Sequence, residues 1–130
     1  MSTNRYVIDS WAWIEYLDGT NAGRKVKEAF EKGQVYTNIV SIAEVISKVD
    51  RRGKDPNVAL EAITTKSKMI VGSAQFARDV GLLHSKIKKS RPNFSLADAF
   101  TLQTAVSMNA KVMTGDPDFK GLKDAIVLTK

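Results

Sequence analysis

The sequence contains no cysteine, a single histidine and only three prolines in 130 residues. Without cysteine there is no disulfide framework, no thiolate zinc site and no cysteine nucleophile, which is compatible with a reducing cytoplasm. The one histidine, His84, stands beside Leu82 and Leu83 within a helical pattern. It has no ligand-like neighbour at metal-binding spacing, so it reads as structural. Long hydrophobic runs are missing too. Met1 to Arg5 leads into Tyr6-Val7-Ile8, and Asp9 then stops the run, far too early for a signal peptide or a membrane span. A soluble, cytoplasmic chain with no membrane partner is expected. Repeats, low-complexity tracts and linker-like stretches are also lacking, so residues 1–130 read as one compact domain.

Charge is plentiful and unbalanced: 20 basic against 14 acidic residues give a net +6. A positive field favours a polyanionic partner, because phosphate binding releases counterions. Solubility alone is the plainer account of the same number.

Periodicity divides the chain into short strands and longer helices. Tyr6-Val7-Ile8, Val35-Tyr36-Thr37, Met69-Ile70-Val71, Lys111 to Thr114 and Ala125 to Leu128 read as strands. Between them run helical patterns over Ser10–Leu17, Ala22–Lys32, Ile42–Arg52, Pro56–Lys66, Ala74–Lys89 and Leu96–Met108. Gly33 is expected to end the second helix as a C-cap glycine. Alternation of this kind predicts an α/β fold, a short parallel β-sheet flanked by helices on both faces. Such sheets bind ligands beyond the carboxyl ends of their strands.

The acids fall there. Asp9 follows the first strand directly, and Asp116 follows Thr114 with one intervening glycine. Glu44 and Asp98 each close a Ser-x-x-acid sequence, Ser41–Glu44 and Ser95–Asp98, that opens a helix. Helix N-termini and strand C-termini share one edge of such a sheet, so the four acids are expected to meet at one rim. Each acid alone is explained about as well by helix capping, since Ser-x-x-Glu is a capping box and Asp116-Pro117 looks like an N-cap with proline at N1. Taken jointly, capping accounts for less: Glu44 and Asp98 lie between apolar neighbours on helices expected to be largely buried, where an unpaired carboxylate is costly. Crowded carboxylates repel unless a cation is present. Hard oxygen ligands without nitrogen or sulfur point to Mg²⁺ or Mn²⁺.

Lys48, Arg51 and Arg52 follow Glu44 along one helix face, and Lys86, Lys88, Lys89 and Arg91 precede Asp98. Basic strips beside a carboxylate pocket suit a phosphodiester: the strips hold the backbone and the cation acts on one phosphate. Lysine and arginine also favour helix C-termini for electrostatic reasons alone. The aromatic residues Trp11, Trp13 and Tyr16 serve either the core or a protein-binding surface.

Val7-Ile8-Asp9-Ser10, Ser41-Ile42-Ala43-Glu44, Ser95-Leu96-Ala97-Asp98-Ala99 and Thr114-Gly115-Asp116-Pro117-Asp118-Phe119 resemble, in order and spacing, the four signature blocks of PIN-domain ribonucleases. The resemblance covers essentially the whole chain and is greatest to the small VapC-type toxins of toxin–antitoxin pairs. It implies a three-layer PIN-like sandwich, cleavage of RNA dependent on Mg²⁺ or Mn²⁺, a homodimer, and a small VapB-like antitoxin as partner. By position, Asp9, Glu44, Asp98 and Asp116 match the acidic quartet and Asp118 the variable fifth acid. Asp9, Asp98, Asp116 and Asp118 are then the metal ligands, with Glu44 completing or orienting the shell. Ser10 and Thr114 match supporting polar residues, and Lys48, Arg51 and Arg52 are the candidates for holding substrate. Asn38 is a further candidate for positioning. Three readings compete with a toxin nuclease: a non-catalytic RNA-binding module of the same fold, an RNA-processing nuclease without an antitoxin, and a phosphoacceptor domain of the receiver or phosphohydrolase type, which also uses acids at strand ends. The sequence departs from the family at Trp11, two residues after the first aspartate, where a small polar residue is usual. That puts substrate preference, rather than the metal, in question.

Overall fold

Each of the five apolar runs forms a strand, and each of the six helical patterns a helix. The computed structural model of the chain describes residues 4–129. The strands are β1 (Asn4–Ile8), β2 (Gly33–Asn38), β3 (Lys68–Ile70), β4 (Lys111–Thr114) and β5 (Ala125–Val127). The helices are α1 (Ser10–Asp18), α2 (Asn21–Lys32), α3 (Ile39–Arg51), α4 (Pro56–Lys66), α5 (Ala74–Lys88) and α6 (Leu96–Met108). All strand pairs are parallel, in the order β3-β2-β1-β4-β5.

Successive side chains of a strand point to opposite faces, and the two cores follow that alternation. Ile8, Val35 and Met113 face the core formed with α1 to α4, which includes Trp13, Val26, Val45 and Ile63. Their neighbours Val7, Tyr36 and Val112 face the other core, with Val80, Phe94, Leu102 and Phe119 from the α5–α6 side. Burying each of these aliphatic side chains contributes roughly 1.5–3 kcal/mol. Both faces are therefore covered, as a parallel sheet requires.

The strand order matters for function. From β1 the chain moves outward to β2 and β3, then returns by α5 and α6 to place β4 on the opposite side of β1. Strand order thus reverses between β1 and β4, and the carboxyl ends of these two strands border a crevice. Asp9 leaves β1 there, its N–H still donating to the Met113 carbonyl of β4 at 3.3 Å.

Several local expectations are corrected. Gly33 does cap α2, but in an extended conformation (φ −158°), not the left-handed one. A Cβ at this position would collide with the Asn4 carbonyl of the paired strand. It is a close-approach glycine. α3 begins at Ile39 rather than Ile42, because β2 runs to Asn38 and turns directly into the helix. Asn38 is the N-cap, and its Oδ1 accepts from Ser41 N at 2.9 Å. Ser41–Glu44 is therefore not a capping box.

Candidate active site

Three of the predicted acids enter the rim through a cap. Asp9 is the N-cap of α1 and its Oδ1 accepts from Ala12 N at 2.8 Å. Asp116 is the N-cap of the 3₁₀ turn Pro117–Phe119 and its Oδ1 accepts from Asp118 N at 2.8 Å. Asp98 forms a reciprocal capping box, its Oδ2 accepting from Ser95 N at 2.9 Å while its own N–H donates to Ser95 Oγ at 3.0 Å. Capping and chemistry are thus not alternatives in this molecule. Each cap pins one carboxylate oxygen and so orients the other. Glu44 arrives differently, from the second turn of α3, and as a residue it is exposed.

Electrostatics shows which acids share a space. Asp9 is only 8% exposed. Burial, with smaller contributions from the charges of Asp98 and Asp116, pushes its pKa up to about 7, against the opposing effect of the Thr114 hydroxyl and the Ala12 N–H. Glu44 is raised by partial burial and by Asp98, with the Ser10 hydroxyl opposing. Asp98 is raised by burial and by Asp116 and Asp118, with Ser95 opposing. Asp98 is therefore the hub, the one acid whose field couples to Asp9, Glu44, Asp116 and Asp118.

Other side chains hold this arrangement in place. Asn38 Nδ2 donates to Thr101 Oγ1 at 3.3 Å, and Ser41 Oγ lies 3.3 Å from the same hydroxyl. All three residues are buried. The cluster fastens α3, which carries Glu44, to α6, which carries Asp98, across the end of the sheet. Thr114 Oγ1 accepts from Asp116 N at 3.0 Å. Arg91, a member of the second basic cluster, donates through Nη1 to the Asp118 carbonyl at 2.5 Å and braces the turn bearing Asp116 and Asp118. Sequence reasoning missed Thr101 and the bracing role of Arg91. Nothing in their spacing signals contacts 63 and 27 residues away. His84 Nε2 lies 3.1 Å from the Phe94 carbonyl, beside the start of α6.

The basic strip on α3 divides. Lys48 and Arg51 line a cleft of about 190 Å³ with Ser10, Trp11, Ile14 and Glu44. Arg52 does not join them. It pairs with Asp18 at 3.1 Å and lines a separate apolar cleft with Lys54, Leu17 and Val58. Trp13 is fully buried and its Nε1 donates to Thr37 Oγ1 at 3.0 Å, so it belongs to the core. Trp11 is half-buried and borders the acidic rim.

The donor set consists of carboxylate oxygens. Among the described residues no three histidine, aspartate or glutamate side chains stand close enough together to hold a metal ion between them. Oxygen donors around an open rim suit a hard divalent cation that keeps several of its own waters. Burial is the main cause that raises Asp9, Glu44 and Asp98, and the smaller part that comes from their mutual repulsion is what such a cation would relieve.

A doubly covered parallel sheet with acids gathered at its switch point defines a class of α/β proteins, and comparison with known proteins narrows it. The family model of the PIN domain matches residues 6–125, and the chain belongs to that family. PIN domains are generally nucleases and generally use divalent metals. No curated protein sequence matches the chain. Among solved structures, the chain is similar to VapBC2 from Rickettsia felis bound to a DNA fragment from its promoter, with a TM-score of 0.74 and 15% identity over 95% of this chain and 97% of that one. It is also similar to a toxin–antitoxin complex from Klebsiella pneumoniae, with a TM-score of 0.70 and 18% identity over 94% and 96% of the two chains. A third similar structure is VapC20 from Mycobacterium tuberculosis, a sarcin–ricin loop cleaving toxin, with a TM-score of 0.71 and 13% identity over 96% and 99%. At these identities the likeness is one of fold. Among the described residues no helix is long and apolar enough to cross a membrane.

Proposed function

We propose that this chain is a divalent-metal-dependent endoribonuclease, the toxin of a toxin–antitoxin pair. The observation that carries the reading is the electrostatic coupling of Asp9, Glu44, Asp98 and Asp116 through Asp98 at the switch point of a PIN fold. The presence of toxin–antitoxin complexes among the similar structures supports a small protein partner, and a homodimer belongs to the same proposal.

In this reading Asp9, Asp98, Asp116 and Asp118 are the residues that would hold Mg²⁺ or Mn²⁺. Such a cation, when bound, makes water more acidic and stabilises negative charge on phosphate oxygens. Glu44, backed by Ser10, orients what enters the rim from the α3 side. Thr114 fixes the Asp116 backbone, and Lys48 and Arg51 bind the RNA backbone leading to the cleft. Water adds to phosphorus as the bond to the 3′ oxygen breaks, and that oxygen leaves as a hydroxyl. The products carry a 5′-phosphate and a 3′-hydroxyl.

Asp9→Asn keeps an acceptor for Ala12 N–H and so keeps the cap. With Mg²⁺ it is expected to lose roughly 100-fold or more of the cleavage rate, read by mapping RNA ends on total RNA against the unsubstituted chain. Cleavage at an unchanged rate by a folded Asp9→Asn protein sinks the proposal. RNA binding without cleavage across several metals favours a binding module instead.

A further inference from the structure

Trp11 lies two residues after Asp9 and borders two clefts at once. On one side the cleft of about 190 Å³ contains Ser10, Glu44, Lys48 and Arg51. On the other, a cleft of about 390 Å³ is lined by Gly115, Pro117, Lys120, Val127 and Leu128. The indole lies against Gly115, the residue before Asp116, so closely that any Cβ there would overlap the ring. Gly115 has no left-handed φ to explain it. Its lack of a side chain makes room for the Trp11 ring. The ring thus forms a wall at the acidic rim, with cations on both sides: Lys48 and Arg51 in one cleft, Lys120 in the other. Among the described residues none of these three is in a salt bridge, unlike Arg52 and Lys54.

We infer that Trp11 is a stacking platform for one unpaired nucleobase of the RNA, next to the phosphate at the rim, and thereby a specificity-determining residue. This rests on the nuclease reading above. An aromatic wall flanked by cations matches the two parts of a nucleotide: the base stacks on the indole and the neighbouring phosphates meet Lys120 on one side and Lys48 and Arg51 on the other. The second cleft is lined by no acid that would repel phosphate, and its polar side chains are those of Lys120 and Thr129. Stacking recognises the π-face of any base, so it selects single-stranded over paired RNA more than it selects sequence.

The test uses the full chain carrying Asp9→Asn, with and without Trp11→Leu, in Mg²⁺. Single-stranded 12-residue RNAs of mixed sequence are the probe, and tryptophan fluorescence is the signal. Trp13 is wholly buried, so a base stacking on the surface quenches Trp11. RNA is expected to quench Asp9→Asn saturably, and Trp11→Leu to remove the quenching and weaken binding about tenfold. An abasic residue walked along the RNA should cost about tenfold at one position in the Trp11 protein and nothing further in the Trp11→Leu protein. Trp11→Phe, which keeps a ring over Gly115, should restore most of that positional effect, which a purely structural role does not produce. A flat abasic scan, equal quenching by duplex RNA, or quenching only by a protein partner overturns the inference. Cleavage by the unsubstituted chain is measured in parallel. A positional effect without cleavage leaves the platform standing and removes the nuclease. Cleavage with a flat scan does the reverse.

Discussion

Asp9 is the residue on which burial and repulsion act most strongly. Its carboxyl is pushed from 3.8 to about 7, so between those values the folded chain holds a proton that the unfolded chain has released. The favourable contribution is full below about pH 4 and is lost as pH rises through about 7. At higher pH the ionised group costs about 4 kcal/mol relative to the acid limit. In EDTA at pH 8, Asp9→Asn is therefore expected to melt several degrees above the unsubstituted chain, with the gap closing toward pH 4. Mg²⁺ at pH 8 should raise the Tm of the unsubstituted chain more than that of the variant. Identical melting curves from pH 4 to 8 would contradict this account. Under the proposed function, the acid assigned to the metal is then one that the metal-free fold tolerates poorly.

At the scale of elements, the site depends on how α3 and α6 are joined. These helices belong to opposite faces of the sheet, and their acids meet only because both helices start at the same edge. Asn38, Ser41 and Thr101 tie the two starts together. Thr101→Val keeps the side-chain shape but removes the hydroxyl, leaving Asn38 Nδ2 buried without its partner. A loss of about 1–3 kcal/mol in unfolding free energy by urea titration is expected. A reduced cleavage rate should accompany it, because Asp98 and Glu44 lose their common anchor. An unchanged rate would mean that the anchor serves stability alone. Element boundaries explain what the sequence hid here. The Ser41–Glu44 spacing reads as a capping box, but β2 continues to Asn38 and the helix starts three residues earlier than that reading places it. Glu44 thus sits a turn inside the helix, at the surface, while Asp98 keeps the N3 position its spacing implies.

For the whole molecule, the net charge of +6 is a field whose usefulness depends on where it is left unpaired. Lys48 and Arg51 share a cleft with Glu44, whereas Arg52 is engaged by Asp18. Replacing Lys48 and Arg51 together by alanine is expected to weaken binding of single-stranded RNA across sequences. It should also reduce the dependence of log Kd on log salt by about 1.4, at roughly 0.7 per phosphate contact. Arg52→Ala should leave that slope unchanged and cost at most about 1 kcal/mol of stability, as an exposed ion pair does. Equal slopes for all three proteins would place the RNA elsewhere.

The sequence by itself determined the alternation of strands and helices, the covered parallel sheet, and the position of Asp9 and Asp116 at strand ends. Those features are local or periodic: side-chain alternation, helical spacing and caps are written within a few residues of one another. It also carried the order of the acidic blocks, from which the PIN family was legible. Only the tertiary structure decided that Asp98 is the hub of the acids, that Arg91 braces a turn rather than flanking the site, that Arg52 leaves the basic strip, and that Trp11 rests on Gly115 between two clefts. Those facts depend on contacts between residues tens of positions apart. Strand order and helix packing set such contacts, and no local spacing encodes them.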